Sequence, residues 1–238
     1  MNKAFAYIVD MNKFHHNLSL FWEYLSIKEQ NQAKRYYNKL LTERYIISHG
    51  ILRYILSYYA HQPASKLEFT SNIYGKPFLK DNQIQFNMSH SGNIACYVVT
   101  FNNQIGVDIE FQDNTIDIIE ISELIFTPQE IELLKSLNYK EKYKSFYTFW
   151  TKKEALVKAL GKGLSYPINK IETMGLLSGK GILFPNENSE LQQKWYCYEL
   201  KVPKNYSGAI GTENKIDKIA YLEMCDLNIL DNLNECRI

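Results

Sequence analysis

The sequence predicts an α+β protein built as two packed halves, on three observations. Stretches with apolar residues at helical spacing alternate with short runs of alternating or β-rich character bounded by Gly, Pro, Asn and Asp. Helices followed by strands recur after about residue 112, as if the chain started its plan again. The 238 residues exceed what one small domain needs and suit two units of roughly 110–120 residues. The expected halves are residues 1–112 and 113–238, with no Gly-, Ser- or Pro-rich linker between them, so they should share a tight interface. No clear sequence repeat joins them, and duplication rests on size and element order.

Taken in order, the apolar run in "MNKAFAYIVDMNK" is too short for a signal peptide or a span and reads as a first strand. From about Leu18 to Tyr59, helical spacing predicts two or three helices with a break near Ser26. Lys28, Lys34, Arg35, Lys39, Arg44 and Arg53 make this region locally basic, as a solvated helix face would be. "LEFTSNIYGKPFL" reads as strand, turn and strand about Gly75 and Pro77. The stretch "IQFNMSHSGNIACYVVTFNNQIGVDIEF" reads as two strand-like runs joined in a hairpin near Asn102 and Asn103. "IDIIEISELIFTPQEIELLKSLN" returns to helical period, with Thr127 and Pro128 placed to start a new helix. A helix through Glu154 follows, then strand-like segments at Gly181 to Phe184, Trp195 to Val202 and Ile219 to Leu222.

Composition bounds the function. Hydrophobic residues at 45% and charged residues at 22% can bury a substantial core. A net charge of +1 predicts no broad affinity for nucleic acid or anionic membrane, so any anion site must be local. Cys96, Cys197, Cys225 and Cys236 have no metal-ligand spacing and are expected as reduced thiols. No run reaches the roughly 20 apolar residues of a membrane span, and a cytoplasmic protein is expected.

Three segments carry chemistry. In "IGVDIEF", Val107 and Ile109 share one strand face while Asp108 and Glu110 share the other. Their carboxylates would stand roughly 6–7 Å apart, two residues of strand rise, and one divalent cation could span them. In "FWTKKEALVKALGKGL", Trp150, Glu154 and Lys158 stack at i, i+4 and i+8, so an acid and a cation face the same space, with Gly161 and Gly163 just beyond. "NMSHSG" offers the Ser89 and Ser91 hydroxyls, the His90 imidazole and backbone N–H groups to a phosphate. Each alone has an ordinary reading, as a half-exposed strand, a surface helix and a turn.

Together, "YGKP" at Tyr74 to Pro77, "SHSG" at Ser89 to Gly92, "IGVDIE" at Ile105 to Glu110 and "WTKKEALVKALGKGL" at Trp150 to Leu164 resemble the Sfp-type 4′-phosphopantetheinyl transferases. The last two match that family's (I/V)G(I/V)D(I/V)E and WxxKEAxxKxxGxG signatures in order and spacing, and the resemblance covers most of the chain. It implies two similar α+β halves about a pseudo-twofold axis with coenzyme A in the cleft between them. It also implies Mg²⁺, or Mn²⁺, on Asp108, Glu110 and Glu154, with Lys158 at the diphosphate. Ser89, His90 and Lys76 would sit near the adenosine 3′-phosphate, with Arg44 and, more loosely, Lys28 as basic partners.

The implied reaction moves the phosphopantetheine arm to a serine of an apo acyl or peptidyl carrier protein and releases 3′,5′-ADP. Glu154 or a metal-bound water could take the serine proton, and the sequence does not choose between them. The longer two-half form implies a monomer serving secondary metabolism, such as antibiotic biosynthesis. Two other readings stand beside it: a non-catalytic coenzyme A or carrier-binding module, which the presence of all three carboxylates disfavours, and a metal-dependent phosphohydrolase. In "TIDIIEISELIFTPQE", the stripe of Ile118, Ile121, Leu124 and Ile125 is either core or the surface that meets the carrier.

Overall fold

The computed structural model describes residues 2–80, 83–174, 179–184 and 193–227. The first strand, β1 (Lys3–Asp10), leads into three helices, α1 (Leu18–Tyr24), α2 (Ile27–Ala33) and α3 (Lys39–Ala60). The expected break falls at Ser26, which caps α2 in a capping box with Glu29. Asn38 caps α3 through Leu40 and Leu41 N–H. The short hairpin β2 (Phe69–Ser71) and β3 (Pro77–Leu79) turns through Gly75 at φ 91°. Three strands follow: β4 (Ile84–Ser91), β5 (Ile94–Phe101) and β6 (Ile105–Phe111).

Three more helices come next, α4 (Ile118–Ile125), α5 (Pro128–Ser136) and α6 (Tyr139–Leu160). Thr127 caps α5 in a second capping box with Glu130, Pro128 supplies the first turn, and Asn138 caps α6. Four strands follow, β7 (Gly181–Phe184), β8 (Gln193–Glu199), β9 (Tyr206–Thr212) and β10 (Lys218–Met224).

Two four-stranded sheets result, ordered β10-β1-β5-β4 and β6-β9-β8-β7. Strand periodicity sorts the core into layers. Tyr7, Val9, Tyr97 and Val99 point from the first sheet toward Ile47, Ile51 and Ile55 of α3. The alternate residues Ala4, Ala6, Cys96 and Val98 meet Ile105, Val107, Ile109 and Ile210 of the second sheet. On the far side of that sheet, Ala155, Leu156 and Ala159 of α6 pack on Trp195, Cys197 and Ala209. The molecule is thus helix, sheet, sheet, helix. β5 and β1 read as nearly unbroken apolar runs because both of their faces are covered.

Several expectations change in detail. The hairpin lies one turn earlier than expected, at Gly92 and Asn93 between β4 and β5. Asn102, at φ 53°, instead starts the crossing from the first sheet to β6 in the second. Asn103 pins that crossing by exchanging two hydrogen bonds with the Asn214 backbone, at 2.9 and 3.0 Å. Sheet membership does not follow a boundary at residue 112, since β6 lies before it in the second sheet and β10 lies after it in the first, parallel to β1. Arg53 is no solvated cation: it is buried, bonded to Glu29 at 2.7 and 2.8 Å and to the Ala64 and Leu67 carbonyls. β9, "YSGAIGT", was not anticipated. Cys96, Cys197 and Cys225 are free thiols, and Cys236 lies outside the described residues. Among the described residues no helix is long and apolar enough to cross a membrane.

Two glycines let α6 sit directly on the second sheet. A Cβ added at Gly106 would lie 2.2 Å from the Ala155 carbonyl oxygen and 2.3 Å from the Ala159 nitrogen. One added at Gly211 would lie 2.7 Å from the same oxygen. These are backbone atoms that cannot rotate away. Gly106→Ala should therefore push α6 outward and lower stability by about 1–3 kcal/mol, the usual cost of overpacking, measured by denaturant unfolding.

Candidate active site

β6 is the edge strand of its sheet, and β4 covers that edge with side chains instead of backbone. Asn87 Oδ1 accepts the Val107 N–H at 2.9 Å, Ser89 Oγ the Ile109 N–H at 3.4 Å, and Ser91 Oγ the Phe111 N–H at 3.0 Å. The two serines then donate onward to the carboxylates of the same strand, Ser89 to Asp108 at 3.0 Å and Ser91 to Glu110 at 2.8 Å. Alternation on β6 turns Gly106, Asp108 and Glu110 toward α6. From α6, Lys158 Nζ donates to Asp108 Oδ1 at 2.6 Å and to Ser89 Oγ at 3.2 Å. The Trp150 side chain hydrogen-bonds Glu110.

Asp108 is almost fully buried, and its second oxygen, Oδ2, has no hydrogen-bond partner. A buried carboxylate oxygen without a donor is costly, and a cation would satisfy it. Burial, and next the negative charge of Asp108, hold the carboxyls of Glu110 and Glu154 above their ordinary range. The three carboxylates are therefore neighbours that repel one another. Hard oxygen donors with one open, buried acceptor fit a divalent ion. Among the described residues no three acidic, His or Cys side chains stand as a metal cluster.

His90 points to the opposite face of β4 from Ser89, toward α3. Partial loss of water around its ring, followed by the Lys158 and Arg44 charges, holds its pKa below the ordinary value. Arg44 reaches from α3 to Asn93 Oδ1 at 2.5 Å, at the turn that follows His90. The structure thus gathers Asp108, Glu110, Glu154, Lys158 and Ser89 where β4 and α6 meet β6, with His90 and Arg44 on the opposite face of β4. Lys28 is exposed on α2. Lys76 stands elsewhere, with its ammonium donating to the Ile105 and Ala159 carbonyls at 3.0 and 2.9 Å.

Beside Glu110 opens a cleft of about 460 Å³ walled by Phe111, Ile116, Ile121, Phe146, Tyr147 and Trp150. In the neighbouring stripe, Ile118 is buried and Leu124 is 73% exposed, so one helix serves both core and surface. Asn87 was not recognised as a site residue, and Ser91, read as a hydroxyl for a phosphate, is spent on the Phe111 N–H and Glu110. The available signal was three polar side chains at 87, 89 and 91, spaced to match N–H groups at 107, 109 and 111.

Comparison with known proteins identifies a family. Residues 104–211 match the 4′-phosphopantetheinyl transferase superfamily, and residues 12–102 match the family described as 4′-phosphopantetheinyl transferase, N-terminal. The chain is 35% identical over 193 residues to the 4′-phosphopantetheinyl transferase HetI of Nostoc sp., covering 79% of this chain and 78% of that protein. It is 30% identical over 179 residues to the 4′-phosphopantetheinyl transferase Sfp of Bacillus subtilis, covering 74% and 78%. With the 4′-phosphopantetheinyl transferase gsp of Aneurinibacillus migulanus it shares 37% identity over 143 residues, 60% and 59% of the two chains. The chain belongs to the 4′-phosphopantetheinyl transferase superfamily.

The mutual repulsion of the carboxylates is directly measurable. Asp108→Asn removes one source of the upward shift at Glu110 and Glu154 and leaves burial in place. Both pKa values should fall in side-chain carbon NMR titrations of metal-free protein. Unchanged values would mean that the three groups do not share one field.

Proposed function

We infer that this protein transfers the 4′-phosphopantetheine arm of coenzyme A to a serine of an apo acyl or peptidyl carrier protein, releasing 3′,5′-ADP. The observation that carries the reading is the buried Asp108, bonded to Lys158 and Ser89 through one oxygen and open at the other, with Glu110 and Glu154 in its field.

Asp108, Glu110 and Glu154 would hold Mg²⁺, or Mn²⁺ in its place, which when bound supplies charge neutralisation and orientation at the diphosphate. Lys158 lies against this set, so its ammonium can meet the charge that grows on the departing phosphate as the serine oxygen bonds to phosphorus and the bond to 3′,5′-ADP breaks. Ser89 offers a hydroxyl at the same place. On the other face of β4, Arg44 would offer a cation and His90 an imidazole to the 3′-phosphate, and a bound dianion would draw a proton onto His90. Glu154 would be a candidate to accept the serine proton, its basicity raised by burial and by Asp108 and lowered again by any cation it holds. Water is excluded on the sheet side by the packed seam, and the cleft beside Glu110 offers an apolar approach.

Mass spectrometry of apo carrier proteins incubated with coenzyme A and Mg²⁺ tests the reading. The wild-type protein should add one phosphopantetheine to a carrier serine, and Asp108→Ala should abolish that addition while keeping the fold. Hydrolysis of coenzyme A without transfer to any carrier would favour a phosphohydrolase instead.

The carrier must bring its serine beside Glu110, and α4 leaves that strand within seven residues. We propose the docking surface on α4, where Ile121 lines the apolar cleft and Leu124, three residues on, is exposed. Leu124→Glu should raise the KM for apo carrier about tenfold, a loss of about 1.4 kcal/mol, with the KM for coenzyme A and the melting temperature nearly unchanged. A melting temperature lowered by several degrees would mean that Leu124 serves the core.

A further inference from the structure

The turn of residues 72–76 wraps the end of α6. Asn72 folds it: its backbone N–H bonds the Lys76 carbonyl at 3.0 Å, and its side-chain oxygen accepts the Tyr74 and Lys76 N–H groups at 3.0 and 2.9 Å. The other end of the same side chain donates to the Gly161 carbonyl at 2.7 Å. Gly161 ends α6 in the left-handed conformation at φ 69°. A Cβ there would lie 2.9 Å from the Asn72 amide nitrogen and 3.0 Å from Lys76 Cδ, so the turn lies directly on the helix end.

The last carbonyls of a helix have no partner within it and are satisfied from outside. Here the Asn72 amide and the Lys76 ammonium do so, and Lys76 adds the Ile105 carbonyl at the start of β6. One cation therefore joins the strand that carries Asp108 and Glu110 to the helix that carries Glu154 and Lys158. Lys158 precedes Ala159 by one residue, and Asp108 follows Ile105 by three. The ammonium's enclosure shows in its pKa, which burial lowers to about 8. Two of its three N–H bonds are committed to backbone.

We propose that Lys76 is a positioning residue, a clamp between Ile105 and Ala159 that sets the approach of Lys158 to Asp108, rather than a ligand of the coenzyme A phosphate. This deepens the transferase reading and rests on it. Displacement of a reacting group by about 1 Å can cost on the order of 100-fold in rate. The clamp therefore acts on kcat, whereas a phosphate ligand acts on the KM of substrates that carry the 3′-phosphate.

The test compares Lys76→Met, Asn72→Ala and His90→Ala, with coenzyme A and dephospho-coenzyme A as donors. Amide hydrogen exchange is followed at the last turn of α6. Lys76→Met should lower kcat by about 10–100-fold with both donors, leave the ratio of their KM values unchanged, and speed exchange at the end of α6. Asn72→Ala, which removes the other half of the clamp without changing charge, should do the same to a smaller degree. His90→Ala should instead raise the KM for coenzyme A alone. If Lys76→Met raises that KM selectively while Asn72→Ala behaves as wild type, Lys76 is a phosphate ligand and the clamp is wrong. Wild-type kcat and exchange in both variants would also overturn it. Should Lys76→Met fail to fold, Asn72→Ala decides by the same two readouts. If the wild-type protein transfers nothing to any carrier, the function fails, and exchange at the helix end alone decides the clamp.

Discussion

The structure depends on how one strand edge is closed. β6 has backbone pairing on one side only, and an open edge buried between two sheets would leave N–H groups without partners, each costing about 1–3 kcal/mol. Asn87, Ser89 and Ser91 close it. A hydroxyl suits the task because it can accept one hydrogen bond while donating another. Ser89 and Ser91 use this to hold the backbone of β6 and, in the same gesture, to orient Asp108 and Glu110. The seam that joins the two sheets is thus the seam that sets the site, and the register of β4 against β6 cannot shift without moving the carboxylates.

Ion pairs in this protein fall into two kinds, and the difference separates structure from function. Glu130 and Lys153 are fully buried 2.7 Å apart, and their remaining atoms are used: Lys153 also donates to the Ile125 and Ile168 carbonyls, and Glu130 accepts from the Thr127 backbone and from Thr173. Arg53 and Glu29 are similarly complete. Burial acts to raise the Glu29 carboxyl, but the Arg53 and Ser26 hydrogen bonds outweigh it and hold it below the ordinary range. Asp108 and Lys158 differ, because Asp108 keeps an oxygen without a donor and two more carboxylates stand in its field. Buried groups left incomplete in this way cluster at functional sites. The adjacent residues Lys153 and Glu154 show the division on one helix, the first turned inward to lock α6 to α5 and the second turned to the site.

Much of the fold was legible because it is written in local physics. Capping boxes at Ser26 and Thr127, Pro128 in a first turn and Gly161 at a helix end are short-range signals that tertiary contacts had only to accept. β9 was illegible for the opposite reason. "YSGAIGT" has small residues where strands usually carry branched ones, because the close approach of α6 leaves no room for a side chain at Gly211. The hairpin was misplaced because Asn102 and Asn103 read as a turn, which they are, while the choice between pairing β6 with β5 and sending it to another sheet is made by contacts more than 100 residues away, at Asn214.

The sequence by itself determined the chemistry: three carboxylates, a lysine and a Ser-His-Ser run at strand and helix spacings that fix which side chains share a face. Those spacings are properties of the local backbone, and they hold in any fold that keeps the strand and the helix. Only the tertiary structure decided what each group meets. It separated His90 from Ser89 onto opposite faces of β4, brought Arg44 of α3 to the turn after His90, and gave Asp108 a bonded oxygen and an open one. It also placed Lys76 under the end of α6 among backbone carbonyls. Those outcomes depend on the packing of one sheet on another and of a helix on glycines, long-range contacts that no local spacing encodes.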